Sequence, residues 1–242
     1  ALSDRAEALM RTEVAALPDG TFQATDYLDN DGIVDEPIPI RVAITIAADR
    51  LTLDFTGTSA QVAGPVNIAE PTALACCYVA MKHLFPDLPA NAGVMRPVDV
   101  VLPPQSLLSA EFPAPTCGYT ETILRMIDVM FSAFAKAAPQ KAVANAYGTI
   151  NALSIAGHKD DGQRFVMFSF FGGGHGASAT GDGLNHGNAP ISTATIPPLE
   201  ILEAAYPVAF RQWALRDESG GEGVHTGGLG AVYDIELLAG SA

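Results

Sequence analysis

"RVAITIAADRLTLDFTGTS", residues 41–59, alternates apolar and polar side chains on both sides of one short interruption. Val42, Ile44 and Ile46 fall on one face of an extended chain, and Leu51, Leu53 and Phe55 on one face of the next. A period of two places successive side chains on opposite faces of a strand, so each run buries one face and wets the other. The turn Ala48-Asp49-Arg50 is short enough to join the runs as a hairpin. A half-buried hairpin needs a helix or a second sheet against it, and the flanking sequence supplies candidates.

Leu2 to Ala16 carries apolar residues at helical spacing and stops at Pro18-Asp19-Gly20, before the acidic loop "DYLDNDGIVDEP". Pro71 suits the first turn of a helix running to about Phe85, with Leu74, Tyr78, Met81 and Leu84 as its inner face. "RPVDVVLPP" reads as a short strand through Val98, Val100 and Leu102. The strongest helix runs from about Glu121 to Ala138, capped by Thr120, with the stripe Ile123, Ile127, Met130, Phe131 and Phe134, and Pro139 ends it. "QRFVMFSFF" is apolar on both faces, as a central strand would be. Leu199 to Tyr206 is a short helix cut by Pro207, and "VAFRQWALR" and "GAVYDIELL" read as closing strands. The fold class expected is α+β, with mixed or antiparallel sheets and about four helices.

The 242 residues, 48% of them hydrophobic, suffice for a sizeable core without covalent staples. Thirteen basic against 27 acidic side chains give −14, which argues against a nucleic-acid or anionic-membrane surface. Cys76 and Cys77 are adjacent and Cys117 has no obvious partner, so a disulfide framework is not expected and a reducing, cytoplasmic compartment is. No charged-then-apolar leader opens the chain, and no run of about 18 apolar residues offers a bilayer span.

Several segments invite chemistry. "YLDNDG" resembles the start of a calcium loop, but Tyr27 and Ile38 occupy the first and the bidentate ligand positions, so a solvated turn is expected. "FFGGGHGASATGDGLNHGN" follows a strand and its glycines approach the dinucleotide pattern, yet no helix follows to hold a pyrophosphate, and GxxxxGK is absent from the chain. His175, Asp182 and His186 in that segment are of metal-ligand type, at a spacing that matches no compact ligand motif, so no metal site is assigned. Cys117 precedes a helix start, where a thiolate is favoured, but GxSxG is missing. Arg125 and Asp128 stand three apart on the strong helix, placed to pair or to face a cleft. Asp54 and Asn67 bracket "DFTGTSAQVAGPVN", a small-residue loop after a strand that suits either ligand binding or a capped turn. The glycine pairs Gly220-Gly221 and Gly227-Gly228 in "RDESGGEGVHTGGLG" point to chain reversal and close packing between two strands.

The order of these segments carries more than any one of them. "LTLDFTGTSAQVAGPVN", "NAGVMRPVDVVLPPQSLLSAEFPAP", the helix around "ETILRMIDVMFSAFAKAAPQ", "FGGG", "GDGLNHGN", "PLEILEAAYP" and "LRDESGGEGVHTGGLG" together resemble the hydantoinase B/oxoprolinase family over essentially the whole chain. The resemblance implies an α+β frame and ATP-dependent opening of cyclic amides such as oxoproline, hydantoins or lactams. It also admits two alternatives: a subunit of an ATP-dependent ketone carboxylase, or a non-catalytic assembly module. It implies that ATP and magnesium belong to a hydantoinase A-type partner in a hetero-oligomer. Family members are longer, and their N-terminal half carries a His/Asp-rich divalent-metal region. Residues 1–242 are thus expected to be the C-terminal portion of such a domain, without that half, and inactive alone. Candidate catalytic residues are Arg125, which would hold a carboxylate or carbonyl, Asp182, which would orient water or a substrate N–H, and His175; Asp54 and Asn67 are the candidate substrate-binding residues. The family's closing segment usually has an arginine before its second glycine pair, where Thr226 stands here.

Overall fold

A computed structural model of the protein describes residues 1–192 and 197–238. The chain divides into two compact units, residues 1–148 with 178–180, and residues 149–177 with 181–242.

The first unit is built on the hairpin. Strands β1 (Gly20–Leu28), β2 (Ile38–Ala47), β3 (Arg50–Asp54) and β4 (Val98–Val101) form one sheet in that order, antiparallel except that β4 runs parallel to β3. Ile40, Val42, Ile44, Ile46, Leu51 and Leu53 are buried along one face, as the alternation requires. Burial of side chains of this size gains roughly 1.5–3 kcal/mol each. The turn is tighter than the sequence suggests: Ala47 pairs with Arg50, leaving only Ala48 and Asp49 between the strands. Ala48 takes φ 53°, and its N–H donates to Asp19 Oδ1 at 2.9 Å.

Parallel neighbours need a long crossover, and helix α2 (Glu70–Leu84) lies within the one joining β3 to β4. Helix α3 (Tyr119–Ala137) packs on β1, β2 and α2. The stripe Ile123, Ile127, Met130, Phe131 and Phe134 is buried as read. Helix α1 (Leu2–Ala15) packs on the 3-10 turn Ala92–Met95.

Five readings in this unit are corrected. Residues 20–28 form β1, so "DYL" belongs to a strand and not to the acidic loop. The turn within that loop is solvated except at Asp31: residues 32–37 are exposed, but Asp31 is buried, its Oδ1 accepts the N–H groups of Ile33 and Val34, and its Oδ2 accepts that of Gly64. These amides hold its carboxyl below the ordinary aspartate value. The buried face of α2 is Ala73, Cys76, Cys77, Ala80, Met81 and Leu84; Leu74 is 41% exposed, because small residues give α2 its close approach and Leu74 turns outward. The α3 N-cap is Gly118, with Thr120 inside the first turn, and β4 stops at Val101, one residue short of Leu102.

The second unit consists of two antiparallel ribbons: β5 (Ala152–His158) with β6 (Arg164–Phe170), and β7 (Val208–Leu215) with β8 (Ala231–Leu237). Helix α4 (Leu199–Ala205) begins after Pro198 and ends before Pro207. The expectation that β6 is a central strand is overturned. Among the described residues it pairs with β5 alone, and while Phe165, Met167 and Ser169 are buried, Val166, Phe168 and Phe170 are open to solvent, Phe168 by 57%. Both its faces are apolar because one is an exposed aromatic surface. Among the described residues, four α-helices with one mixed and two antiparallel sheets make the fold α+β, as expected.

All three cysteines are free thiols, Cys76 and Cys77 buried and Cys117 exposed. Burial pushes the Cys76 thiol up to about 12, and that of Cys77 upward also. Among the described residues, no helix is long and apolar enough to cross a membrane.

Candidate functional site

In the second unit, the glycine segment after β6 and the glycine turn before β8 zip together. The Gly228 N–H donates to the His175 carbonyl at 2.8 Å, and His175 N–H to the Leu184 carbonyl at 3.1 Å. Gly183 N–H donates to the Thr226 carbonyl at 2.8 Å, and Gly174 N–H to the Gly187 carbonyl at 3.1 Å. Such approach of backbone to backbone leaves no room for a side chain. A Cβ at Gly228 would stand 2.1 Å from the Leu184 carbonyl oxygen, and one at Gly174, where φ is 93°, 2.1 Å from that of Gly228.

This geometry tests whether the segment cradles phosphate. A cradle needs backbone N–H groups free to converge on an anion, usually at a helix N-terminus. The N–H groups of Gly174, Gly183, Gly187, Gly227 and Gly228 are already donated to carbonyls within the web. The web therefore does not fit a nucleotide's phosphates. Neither do His175, Asp182 and His186 form a ligand set: among the described residues, no group of three His, Cys, Asp or Glu side chains is placed to hold a metal ion. The close packing expected of the later glycine pairs is present at three of the four positions. Gly220, Gly227 and Gly228 lack a left-handed φ and are needed for want of a Cβ, while Gly221 has open space around it.

What the web does hold out is a carboxylate beside an imidazole. Asp182 Oδ1 accepts the Thr226 N–H at 2.8 Å and lies 3.5 Å from His225 Nδ1. The Asp182 side chain is 65% exposed, so its second oxygen faces solvent. His175, by contrast, is turned into the web, its Nε2 donating to the Asn188 carbonyl. His186 is enclosed by aromatic rings: Trp213 Nε1–H donates to its Nε2 at 2.9 Å, and the Tyr233 hydroxyl is 2.7 Å from the same nitrogen. An indole nitrogen can only donate, so His186 Nε2 is an acceptor and the ring hydrogen sits on Nδ1. That Nδ1 is buried without a partner among the described residues.

The first unit places the remaining candidates. Asp54 accepts the Thr56 N–H at 2.9 Å, which caps the turn after β3. Asn67 is fully buried; its Oδ1 accepts from Val62 N–H, and its Nδ2 donates to the carbonyls of Val62, Gly64 and Pro115. Arg125 Nη1 donates to Asp26 Oδ2 at 2.8 Å and lies 3.7 Å from Asp128 Oδ2. Burial is the main cause that raises the Asp128 carboxyl to about 7, opposed by the Arg125 charge and assisted by that of Asp26.

Sequence reasoning missed His225 as the partner of Asp182, Asp26 as the partner of Arg125, and the aromatic enclosure of His186. Only the first had a signal: a histidine in the position next to Thr226, where the closing segment departs from the family's usual arginine.

Fold and site thus define an α+β protein that carries a carboxylate beside an imidazole on a glycine-built loop. The sequence profile of the hydantoinase B/oxoprolinase family matches residues 1–242, and the chain belongs to that family. It is 27% identical to the B-type subunit of a putative D-/L-hydantoinase of Pseudomonas sp. (strain NS671), covering 98% of this chain and 42% of that protein. The ATP-dependent caprolactamase structure from Pseudomonas jessenii superposes with a TM-score of 0.84 at 26% identity, over 97% of this chain and 42% of the other. A nucleotide-free acetone carboxylase shares the fold, with a TM-score of 0.85 at 19% identity over 98% of this chain and 34% of its own. The chain therefore spans about two fifths or less of the length of each.

Proposed function

We propose that this chain is part of the B-type subunit of an ATP-dependent cyclic-amide hydrolase, in which it forms part of the wall where the ring is opened. The observation that supports this reading most is the family match over all 242 residues, with a lactam-opening relative alike over nearly the whole chain. Oxoproline, hydantoins and lactams share one reacting group, a cyclic amide carbonyl. ATP and magnesium are assigned to a hydantoinase A-type partner, because five of the web's glycine N–H groups are already donated to carbonyls. A divalent metal is assigned to the metal region implied by the family and to no residue of this chain.

The chemistry assigned to this chain is water activation. His225, held from its Nδ1 side by Asp182, takes a proton from water through Nε2, and the water oxygen adds to the amide carbon. Asp182 stabilises the imidazolium that results. The ring C–N bond then breaks, the proton passes to the departing nitrogen, and an open-chain carboxylate with a free amine remains. Arg125 would hold a substrate carbonyl or carboxylate only on release from Asp26, so Asp182 and His225 are the stronger pair.

The test is a substrate panel on the complex assembled with its partner subunit. Oxoproline, hydantoin and caprolactam, with ATP, should give a ring-opened acid independently of bicarbonate. Turnover of a ketone that requires bicarbonate, with no cyclic amide opened, would place the chain with the carboxylases instead. Assembly with the partner and no effect of any Asp182 or His225 substitution would make it an assembly module.

A further inference from the structure

We infer that the outer edge of β4 is a docking site for one extended segment of a basic, apolar partner chain, which joins the first unit's sheet as a fifth strand. β4 is the terminal strand of the order β1-β2-β3-β4. The Pro97 and Val101 carbonyls accept from Leu51 and Phe55 N–H on the β3 side. In a parallel ladder, the residues whose N–H and C=O face one neighbour alternate with those facing the other. Asp99 therefore also faces β3, and Val98, Val100 and Leu102 turn their backbone groups outward. No backbone partner of Val100 or Leu102 is found among the described residues.

Those two residues line a cleft of about 600 Å³. It is also lined by Glu70 and Leu74 near the start of α2 and by the segment Ser109 to Glu111. Leu74 and Val101 are both substantially exposed there, so apolar surface flanks the free strand edge.

The occupant's chemistry follows from the walls. A segment added to a sheet edge gains main-chain hydrogen bonds from the edge and specificity from pockets for alternate side chains. Apolar side chains of the segment would meet Leu74 and Val101. Glu70 and Glu111 line the cleft and are exposed, and Glu111 accepts from Gln105 Nε2. They favour lysine or arginine beside those apolar residues and oppose an acidic strand, in a chain of net charge −14. Pro97, Pro103 and Pro104 close both ends, so the register extends from Val98 to Leu102 and no farther.

The probe is the capped peptide acetyl-Lys-Val-Thr-Val-Lys-amide, titrated into the full chain by calorimetry, with backbone amide exchange read by NMR. Saturable binding is expected, with protection of Val100 and Leu102. Replacing both lysines by glutamate, or N-methylating the central threonine and the second valine, should weaken it at least tenfold. Val100→Pro removes an outward N–H and no ladder bond, so it should also weaken binding tenfold or more. The paired variant Glu70→Gln/Glu111→Gln leaves the backbone untouched and should lower affinity for the lysine peptide alone. Equal binding of the lysine, glutamate and N-methyl peptides, protection confined to other residues, or no binding would overturn the inference.

Discussion

Asp128 Oδ2 stands 3.7 Å from Arg125 Nη1 and yet has no hydrogen-bond partner among the described residues, although its side chain is only 2% exposed. Asp26 has taken the better geometry on Arg125, at 2.8 Å. Asp128 is thus a buried acid that the fold keeps protonated to about pH 7.

A pH dependence of stability follows. In the unfolded chain an aspartate loses its proton near pH 4. Between that pH and about 7, the folded state binds more protons than the unfolded state, so stability falls as pH rises through this window. The loss is of order 1.4 kcal/mol per unit of separation. Asp128→Asn should flatten the slope: denaturant unfolding at pH 5 and pH 8 should differ less in the variant than in the parent chain. An equal or steeper slope in the variant contradicts the assignment.

The glycine web makes opposite predictions for neighbouring positions. Gly228→Ala drives a Cβ against the Leu184 carbonyl, backbone against backbone, and should cost about 2 kcal/mol or more. Gly221→Ala, with open space around it, should stay within about 0.5 kcal/mol of the parent. Thermal unfolding of the two variants side by side is the measurement.

Ala48 holds a left-handed conformation that strains any residue with a Cβ. Ala48→Gly should therefore stabilise the first unit by about 0.5–1 kcal/mol, even though glycine gives the unfolded chain more freedom. Chemical denaturation followed through the first unit's amides checks it.

His186 offers one lone pair to two neighbours, Trp213 and Tyr233. Removing either neighbour's polar group leaves the other in place. Trp213→Phe and Tyr233→Phe should thus each cost about 1 kcal/mol or less through the lost hydrogen bond, and the double variant clearly more than their sum. Additive costs in a double-mutant cycle would show that the two do not share the acceptor.

The hairpin, the α3 stripe and the glycine punctuation were legible because each rests on local periodicity. β1 was not, because its half-buried row runs Phe22, Ala24, Asp26 and then Leu28. The carboxylate that breaks this row is answered by Arg125, 99 residues away. β6 misled for the converse reason, since an exposed aromatic face reads the same as a buried one. At the site, Asp182 was visible as a carboxylate among glycines, but its imidazole lies 43 positions on and is reached only through the folded web. Asp54 and Asn67 were visible as polar residues near glycines, and nothing local distinguishes a ligand-binding amide from one that ties three carbonyls together.

The central claim is that Asp182 and His225 activate water for ring opening while ATP is bound by the partner subunit. Its most direct test is the rate of ATP-dependent cyclic-amide opening by the assembled complex carrying Asp182→Asn or His225→Gln, with nucleotide binding measured on the same preparations. The account predicts at least a hundredfold loss of ring opening with nucleotide affinity unchanged. Parental turnover in both variants, or a nucleotide captured by this chain's own glycine web, would contradict it.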